Sequence, residues 1–297
     1  MASLPGVDIR RAVRMGLEED LGQGDITTTA LFSKPTPARA TIIAQQPLVV
    51  AGMAAAIQTF IVVDASLKLT PSLQDGAQAR TGDVLLHIEG DGRSILSAER
   101  VALNFLQHLS GIATLTDRFC RAVRGYSVDI MDTRKTIPGW RALQKWAVSL
   151  GGGTNHRTSL GDSILIKDNH LALLGDKKQA VIKACRLARA ETSTDKPFIV
   201  EVESLSEVHD ALQGKADIIL LDNMTPTTVK RAVKLIAGRA LVEVSGGVTL
   251  KNVRAMAAAG PDRISIGALT HSAPAATLSL VLEPHRQGRS SKVKRQT

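Results

Sequence analysis

The sequence predicts an α/β protein in two parts: a mixed α+β region in the N-terminal third, then βα units wound around a parallel sheet. Three observations lead there. From Ser127 onward, short β-branched runs alternate with amphipathic helical stretches, the sequence form of parallel strands joined by helical crossovers. Before that point the apolar runs are broken by Gly and Pro and do not keep the alternation. Six successive strands in the second part end in charged residues or glycine, on the rim where α/β barrels carry their active sites. A chain of 297 residues that is 44% hydrophobic has ample material for the cores this requires.

Taken in order, Ile9 to Glu19 has helical apolar spacing and ends in the turn Leu21-Gly22-Gln23-Gly24-Asp25. Ala38 to Val50, Leu67 to Thr70 and Val84 to Gly90 read as strands, with Ala54 to Val63 as a helix between the first two. Ser97 is expected to cap a long helix whose apolar stripe is Val101, Ala102, Phe105, Leu106 and Leu109. Gly111 is expected to interrupt it before Ala113 to Val123. The later strands are Val128 to Met131, Ser163 to Ile166, Phe198 to Val202, Ile218 to Leu221, Ala240 to Val244 and Ile264 to Ile266. Their carboxyl ends carry, in turn, Asp132-Thr133-Arg134-Lys135, Lys167-Asp168-Asn169, Glu201 with Glu203, Asp222-Asn223, Ser245-Gly246-Gly247 and Gly267.

Composition narrows the function. No apolar stretch approaches a membrane span, and the first fifteen residues lack the layout of a signal peptide, so a cytoplasmic protein is expected. Cys120 and Cys185 lie far apart with no metal or redox spacing and read as buried free thiols. Of the net charge of +9, five positive charges (Arg286, Arg289, Lys292, Lys294 and Arg295) fall in the last twelve residues; removing them leaves +4 for the body. Residues 286–297 therefore read as a basic disordered tail. One Tyr and five Phe supply a poor stacking surface, which argues against nucleic-acid binding.

The chemistry concentrates between residues 132 and 170. Arg134, Lys135, Arg157 and Lys167, with His156 and His170 beside them, can grip a ligand carrying several negative charges. Arg suits planar bidentate recognition of a carboxylate or phosphate, and Lys acts as a point charge. The strand-end acids Glu201 and Asp222 can hold Mg2+, directly or through water, or hydrogen-bond a ribose diol; alternatively they pair with Lys167 or Arg134 in structural ion pairs. Glu203 is a weaker candidate that could equally begin the next helix. Ser245-Gly246-Gly247 and Gly267-Ala268 each stand between a strand and an expected helix, where free N–H groups favour phosphate. Gly151-Gly152-Gly153 could be only a flexible helix end, but because it feeds into Asn155, His156 and Arg157 it reads as a loop that lets the backbone approach a ligand. His156 is expected to donate to the ligand, His170 to start a helix, and His271 to contact phosphate or cap a helix. Arg100, from its own surroundings, reads as a solvated helix residue.

These residues resemble the quinolinate phosphoribosyltransferase family, the carboxylating nicotinate-nucleotide pyrophosphorylases of NAD biosynthesis. The likeness runs through Glu19 to Thr28, Ala98 to Leu106, Ser110 to Thr114, Asp132 to Thr136, Gly151 to Arg157, Leu165 to His170, Glu201 to Glu203, Leu221 to Asn223, Ser245 to Gly247 and Ile266 to His271. It implies an incomplete α/β barrel of six or seven strands with an N-terminal open-faced α/β sandwich. The implied boundaries are 1–112 for the sandwich, completed by C-terminal helices at about 272–285, and 113–271 for the barrel. It further implies a homodimer in which Arg100 reaches the partner's site, with further assembly in some members.

By the same resemblance Arg134, His156, Arg157 and Lys167 hold the two carboxylates of quinolinate, with Thr133 beside them. Lys135 lies between quinolinate and phosphoribosyl pyrophosphate. Glu201 and Asp222 serve the ribose and the Mg2+-pyrophosphate, directly or through water, and Ser245, Gly246, Gly247, Gly267 and His271 receive the 5'-phosphate. Lys135, Glu201 and Asp222 are the expected catalytic residues and Mg2+ the expected cofactor. Trp146 stands where the family usually has Tyr, and Thr158, Ser159 and Gly161 depart from a more apolar pattern. The alternatives are a related phosphoribosyltransferase-like enzyme acting on another anion, such as the molybdenum-transport-associated paralogue, or a non-enzymatic anion or nucleic-acid binder.

Overall fold

A computed structural model describes residues 6–175, 180–191 and 196–284. The expected basic tail, 286–297, lies outside them. The described chain divides into two units, one holding residues 6–111 with 275–284 and the other holding Ile112–Pro274.

The first unit opens with α1 (Gly6–Leu21) and α2 (Ile26–Leu31), whose start is capped by the Asp25 carboxylate accepting the Thr28 N–H at 2.9 Å. Then come β1 (Pro37–Ala44), β2 (Leu48–Val49), α3 (Met53–Val63), β3 (Lys68–Pro71), β4 (Gln78–Ala79), β5 (Val84–Asp91) and α4 (Gly92–Ala122). The run expected as one strand over 38–50 is two. It breaks around exposed Gln45 and Pro47, and β2 pairs with β4 in a separate two-stranded sheet. The main sheet has the order β12-β1-β5-β3, where β12 (Leu278–Pro284) pairs antiparallel with β1. The element that completes this unit late in the chain is thus a strand, where helices were expected: Thr277 to Leu280 alternates polar and apolar residues at the period of a sheet, and the β-branched Val281 continues it.

One face of that sheet builds the core, with Ala40, Ile42, Leu86 and Ile88 against Phe60 of α3 and Ile95, Ala98, Ala102 and Leu106 of α4. Helix α4 begins upstream of Ser97 and runs through Gly111 without a break. Its apolar stripe extends back to Ile95, and Asp91 serves the start by accepting the Arg93 N–H at 3.1 Å. Ser97 instead donates its hydroxyl to Asp25 at 3.0 Å. Beneath α3, Asp75 accepts the Met53 N–H at 2.9 Å; burial outweighs the helix-end N–H groups and pushes its carboxyl up to about 6.

The second unit continues with β6 (Asp129–Met131), α5 (Arg141–Leu150), β7 (Ile164–Ile166), α6 (Asp168–Leu173), α7 (Ala180–Glu191), β8 (Phe198–Val202) and α8 (Leu205–Gln213). After these come β9 (Ile218–Asp222), α9 (Pro226–Ile236), β10 (Leu241–Ser245), α10 (Val253–Ala258), β11 (Arg263–Ser265) and the single turn α11 (Ala268–His271). The six strands form one parallel sheet in the order β6-β11-β10-β9-β8-β7. Its edges, β6 and β7, are not paired to each other, which makes an incomplete barrel. On the free edge of β6, Thr154 adds an isolated parallel bridge to Met131. Buried runs such as Ile218 to Leu221 are what two-sided burial of parallel strands demands. Ile199, Ile218 and Leu220 pack with Leu165 inside the sheet's curve. Both cysteines are free, Cys185 buried and Cys120 half-buried, and burial pushes each thiol up to about 11. No described helix is long and apolar enough to cross a membrane.

Candidate active site

A cavity of about 220 Å3 lies at the carboxyl ends of the barrel strands. Of the residues singled out in the sequence, Thr133, Arg134, Lys135, His156, Arg157, Lys167, Glu201, Asp222 and Ser245 line it. Leu165, Leu220, Glu243 and Ser265, none of them among the candidate site residues, line it as well. A larger hollow of about 570 Å3 sits at the opposite strand ends, among Lys215, Asp217, Arg239 and Asp262. Its two aspartates accept the backbone N–H groups of Phe198 (2.8 Å) and Val242 (2.7 Å), which is structural work.

The basic side of the cavity rests on a buried ion pair. Lys145, from α5, donates to Asp132 at the end of β6; the two side chains are 4% and 0% exposed. Asp132 also accepts the His156 N–H at 2.9 Å and the Asn155 amide at 2.7 Å, while Lys145 donates to the His156 carbonyl at 2.9 Å. Both peptide groups of His156 are therefore gripped by one pair, tying the 155–157 segment to the loop that carries Thr133, Arg134 and Lys135. Burial drives the Asp132 carboxyl above its ordinary value and the Lys145 amine below its own, in each case against the partner's opposing charge. Arg141 holds the same loop from the outside, donating to Thr136 at 3.0 Å and to the Thr158 carbonyl at 3.0 Å.

His156 is more constrained than an adaptable ligand donor. Its Nδ1 accepts the Arg157 N–H at 2.8 Å, so the ring proton sits on Nε2, which meets Glu243 at 3.1 Å. Arg157 donates to the Ser163 carbonyl at 3.1 Å. Burial, and after it the neighbouring Arg134, lowers its pKa, so an anion placed between the two guanidinium groups relieves their repulsion. The Arg134 Nε is buried and has no protein partner.

Across the cavity, Lys167 pairs with Glu201. Burial raises the Glu201 pKa; Lys167 works against it, while Asp222 and Asp168 add to the rise. The structural ion pair weighed as an alternative thus exists, and it lies inside the cavity. Among the described residues no group of three or more His, Cys, Asp or Glu could cage a metal by itself. Two carboxylates on neighbouring strand ends suit a cation that keeps its waters and takes further oxygens from a phosphorylated ligand, which is Mg2+ chemistry. Glu203 is exposed and lies outside the cavity, its N–H bonded to Glu207 at 2.7 Å just ahead of α8.

The glycine segments divide by role. A Cβ on Gly151 would lie 2.3 Å from the Ala113 carbonyl and 2.6 Å from Thr116, and one on Gly153 would lie 2.8 Å from Thr116 and Val148. These glycines let the chain press against α4 and α5, so the expected backbone approach to a ligand is corrected to helix packing. Gly246 and Gly247 have φ of +85° and +62°, a turn that lets Gly246 press on Asn223. No helix follows that turn directly, since α10 starts only at Val253, so the expected helix dipole is not at this loop. Gly246, Gly247, Gly267 and His271 are not among the residues lining the cavity. Gly267 nonetheless adjoins it: a Cβ there would lie 3.0 Å from Lys135 Cδ and 3.1 Å from His271 Nε2. The Lys135 stem thus passes over the glycine loop, and Thr270 donates to the Lys135 carbonyl at 2.7 Å. His170 stands in the first turn of α6, its Nδ1 accepting the N–H of Lys167, which caps the helix, at 2.9 Å. Arg100 is exposed on α4 in the other unit.

Glu243 is the main omission of the sequence reading. Its signal was present: a carboxylate between Val242 and Val244, inside a strand otherwise built for two-sided burial. Lys145 and Asn155 carried no such signal, since a helix lysine and a loop asparagine are ordinary at the surface.

Residues 112–281 match the family "Quinolinate phosphoribosyl transferase, C-terminal domain", and residues 25–110 match "Quinolinate phosphoribosyl transferase, N-terminal domain". The nicotinate-nucleotide pyrophosphorylase [carboxylating] of Mycobacterium leprae is 41% identical over 272 residues, covering 89% of this chain and 93% of the relative. The probable enzyme of the same name from Bacillus subtilis is 38% identical over 262 residues, covering 88% and 89%. The solved nicotinate-nucleotide pyrophosphorylase of Francisella tularensis superposes with a TM-score of 0.86 at 37% identity, covering 95% of this chain and 98% of that one.

Proposed function

This chain belongs to the quinolinate phosphoribosyl transferase family, and on that premise we propose that it transfers the phosphoribosyl group of phosphoribosyl pyrophosphate to the nitrogen of quinolinate. Decarboxylation completes the reaction, giving nicotinate mononucleotide, pyrophosphate and CO2. The observation that carries this reading is one cavity lined both by the cations Arg134, Arg157 and Lys167 and by the acids Glu201 and Asp222, with the Lys167–Glu201 pair where the two sets meet. A pyridine dicarboxylate satisfies the first set and a ribose the second.

In this reading the cations fix the dicarboxylate and aim its nitrogen at C1 of the phosphoribosyl donor. As the bond from C1 to pyrophosphate breaks, Glu201 and Asp222 stabilise the positive charge that develops on the sugar, and Lys135 takes up charge on the leaving group. As CO2 departs, the electron pair of the C2–carboxylate bond stays on C2, stabilised there by the adjacent positive pyridinium nitrogen, and C2 then uses it to take a proton. Glu201 and Asp222 would hold Mg2+, which supplies charge neutralisation for pyrophosphate. Ser245, Gly246, Gly247, Gly267 and His271 would receive the 5'-phosphate, with Lys135 joining the two halves. The protein acts as a cytoplasmic homodimer in which Arg100, exposed on α4, enters the partner's site.

The test supplies quinolinate or nicotinate with phosphoribosyl pyrophosphate and Mg2+ and follows nucleotide product and CO2. Quinolinate turnover is expected; turnover of nicotinate alone refutes the reading. Removing residues 286–297 should leave turnover intact, whereas a tail-dependent binder would lose its salt-sensitive binding.

A further inference from the structure

The Glu243 side chain is fully buried on β10 at the wall of the cavity, and its two oxygens are used unequally. Oε1 meets His156 Nε2 at 3.1 Å and accepts the Ser265 hydroxyl; Oε2 is buried with no hydrogen-bond partner. Such a group is poor fold-building material, because a buried carboxylate with an unsatisfied oxygen costs stability that a leucine of similar size would not. What Glu243 does supply is an acceptor for His156. With Nδ1 occupied by the Arg157 N–H, Nε2 must carry the proton and needs a partner within the wall. Ser265, one strand over on β11, fixes the carboxylate in turn. The strand register also places Glu243 beside Leu220 and Leu220 beside Glu201, so the two glutamates flank a leucine in one row of the cavity floor.

We propose that Glu243 is a positioning residue of the quinolinate half-site: it locks the His156 ring in the Nε2–H tautomer and in the orientation that shapes the dicarboxylate pocket. This inference rests on the function proposed above. It assigns Glu243 no contact with substrate. Its influence passes through His156 and, by the hydrogen bond to His156 Nδ1, to the backbone of Arg157. Without it the imidazole is free to turn, and the Arg157 main chain loses its acceptor.

Two variants separate this from a purely structural role. Glu243→Leu removes the acceptor, while Glu243→Gln keeps an acceptor without the charge. Glu243→Leu is expected to raise the KM for quinolinate roughly tenfold, the size of one lost hydrogen bond to a charged group. The KM for phosphoribosyl pyrophosphate should stay within about twofold, and Glu243→Gln should recover most of the loss. In 15N spectra of the imidazole groups in the ligand-free protein, the wild type should show His156 protonated at Nε2 only, and Glu243→Leu should lose that fixed tautomer.

An unchanged quinolinate KM in Glu243→Leu overturns the proposal, as does an equal rise in both KM values with a lowered midpoint. A wild-type spectrum with His156 protonated at Nδ1 overturns it too, and that measurement remains decisive if the leucine variant does not fold. If the wild type fails to turn over quinolinate, the function has failed, while the spectra still report on the Glu243–His156 link independently.

Discussion

Lys145→Met tests whether the buried pair under the basic loop is what holds that loop. The side chains of Lys145 and Asp132 are 4% and 0% exposed, and Asp132 keeps only the Asn155 amide and the His156 N–H once the ammonium is gone. Breaking a buried pair from one side costs about 3–5 kcal/mol, because the remaining charge is stranded in a medium that solvates it poorly. At about 2–4 °C per kcal/mol for a unit of this size, the barrel unit should unfold roughly 10 °C earlier by calorimetry. The His156 carbonyl also loses its donor, so the KM for quinolinate should rise. The double variant Asp132→Asn with Lys145→Met should recover most of the lost stability, since replacing both charges removes the stranded one. A single variant within about 1 kcal/mol of wild type in urea unfolding would refute the reasoning, because that is the scale of an exposed pair.

Lys135→Ala should lower turnover about a hundredfold or more, the cost of removing one preorganised donor from developing charge, as measured by single-turnover product formation; near-normal turnover would remove Lys135 from its assigned place. Gly151→Ala should destabilise the barrel unit by about 2–3 kcal/mol in denaturant unfolding, because its Cβ would stand 2.3 Å from the Ala113 carbonyl. For Asp75 the sign runs against the usual carboxylate. Its folded value is about 6 against 3.8, so the folded state keeps a proton that the unfolded chain loses within that window, and stability declines as pH rises through it. Asp75→Asn should therefore stabilise the protein above pH 6 by up to about 3 kcal/mol and not below pH 4, as read from unfolding free energies across pH. Chelation of Mg2+ should abolish turnover, and added Mg2+ should restore it.

The second unit was the more legible in sequence. Phe198–Val202 falls on the residues the sequence reading marked, and the other barrel strands fall within one or two, because a parallel strand buried on both faces leaves an apolar run that local composition reveals. The cations and acids at the strand ends were legible for a related reason: the strands must stop where polar side chains begin, so the end of each run is also the rim. The first unit was harder. The break at Gln45 to Pro47 and the strand at 278–284 depend on pairing with residues far away in the chain, β2 with β4 and β12 with β1. A helix start at Gly92 in place of Ser97 depends on how far the apolar stripe finds a core to pack against.

The sequence by itself determined the parallel sheet, the rim and the chemical types gathered on it, since strand periodicity and charge are local properties of the chain. Only the tertiary structure decided how those groups are held. The role of Gly151 to Gly153 turned on how closely α4 and α5 approach. The grip of Lys145 and Asp132 on His156, and the placing of Glu243 against its ring, join residues on separate elements. Whether a buried polar atom has a partner is a question of distance across the fold, and no local pattern of residues carries that distance.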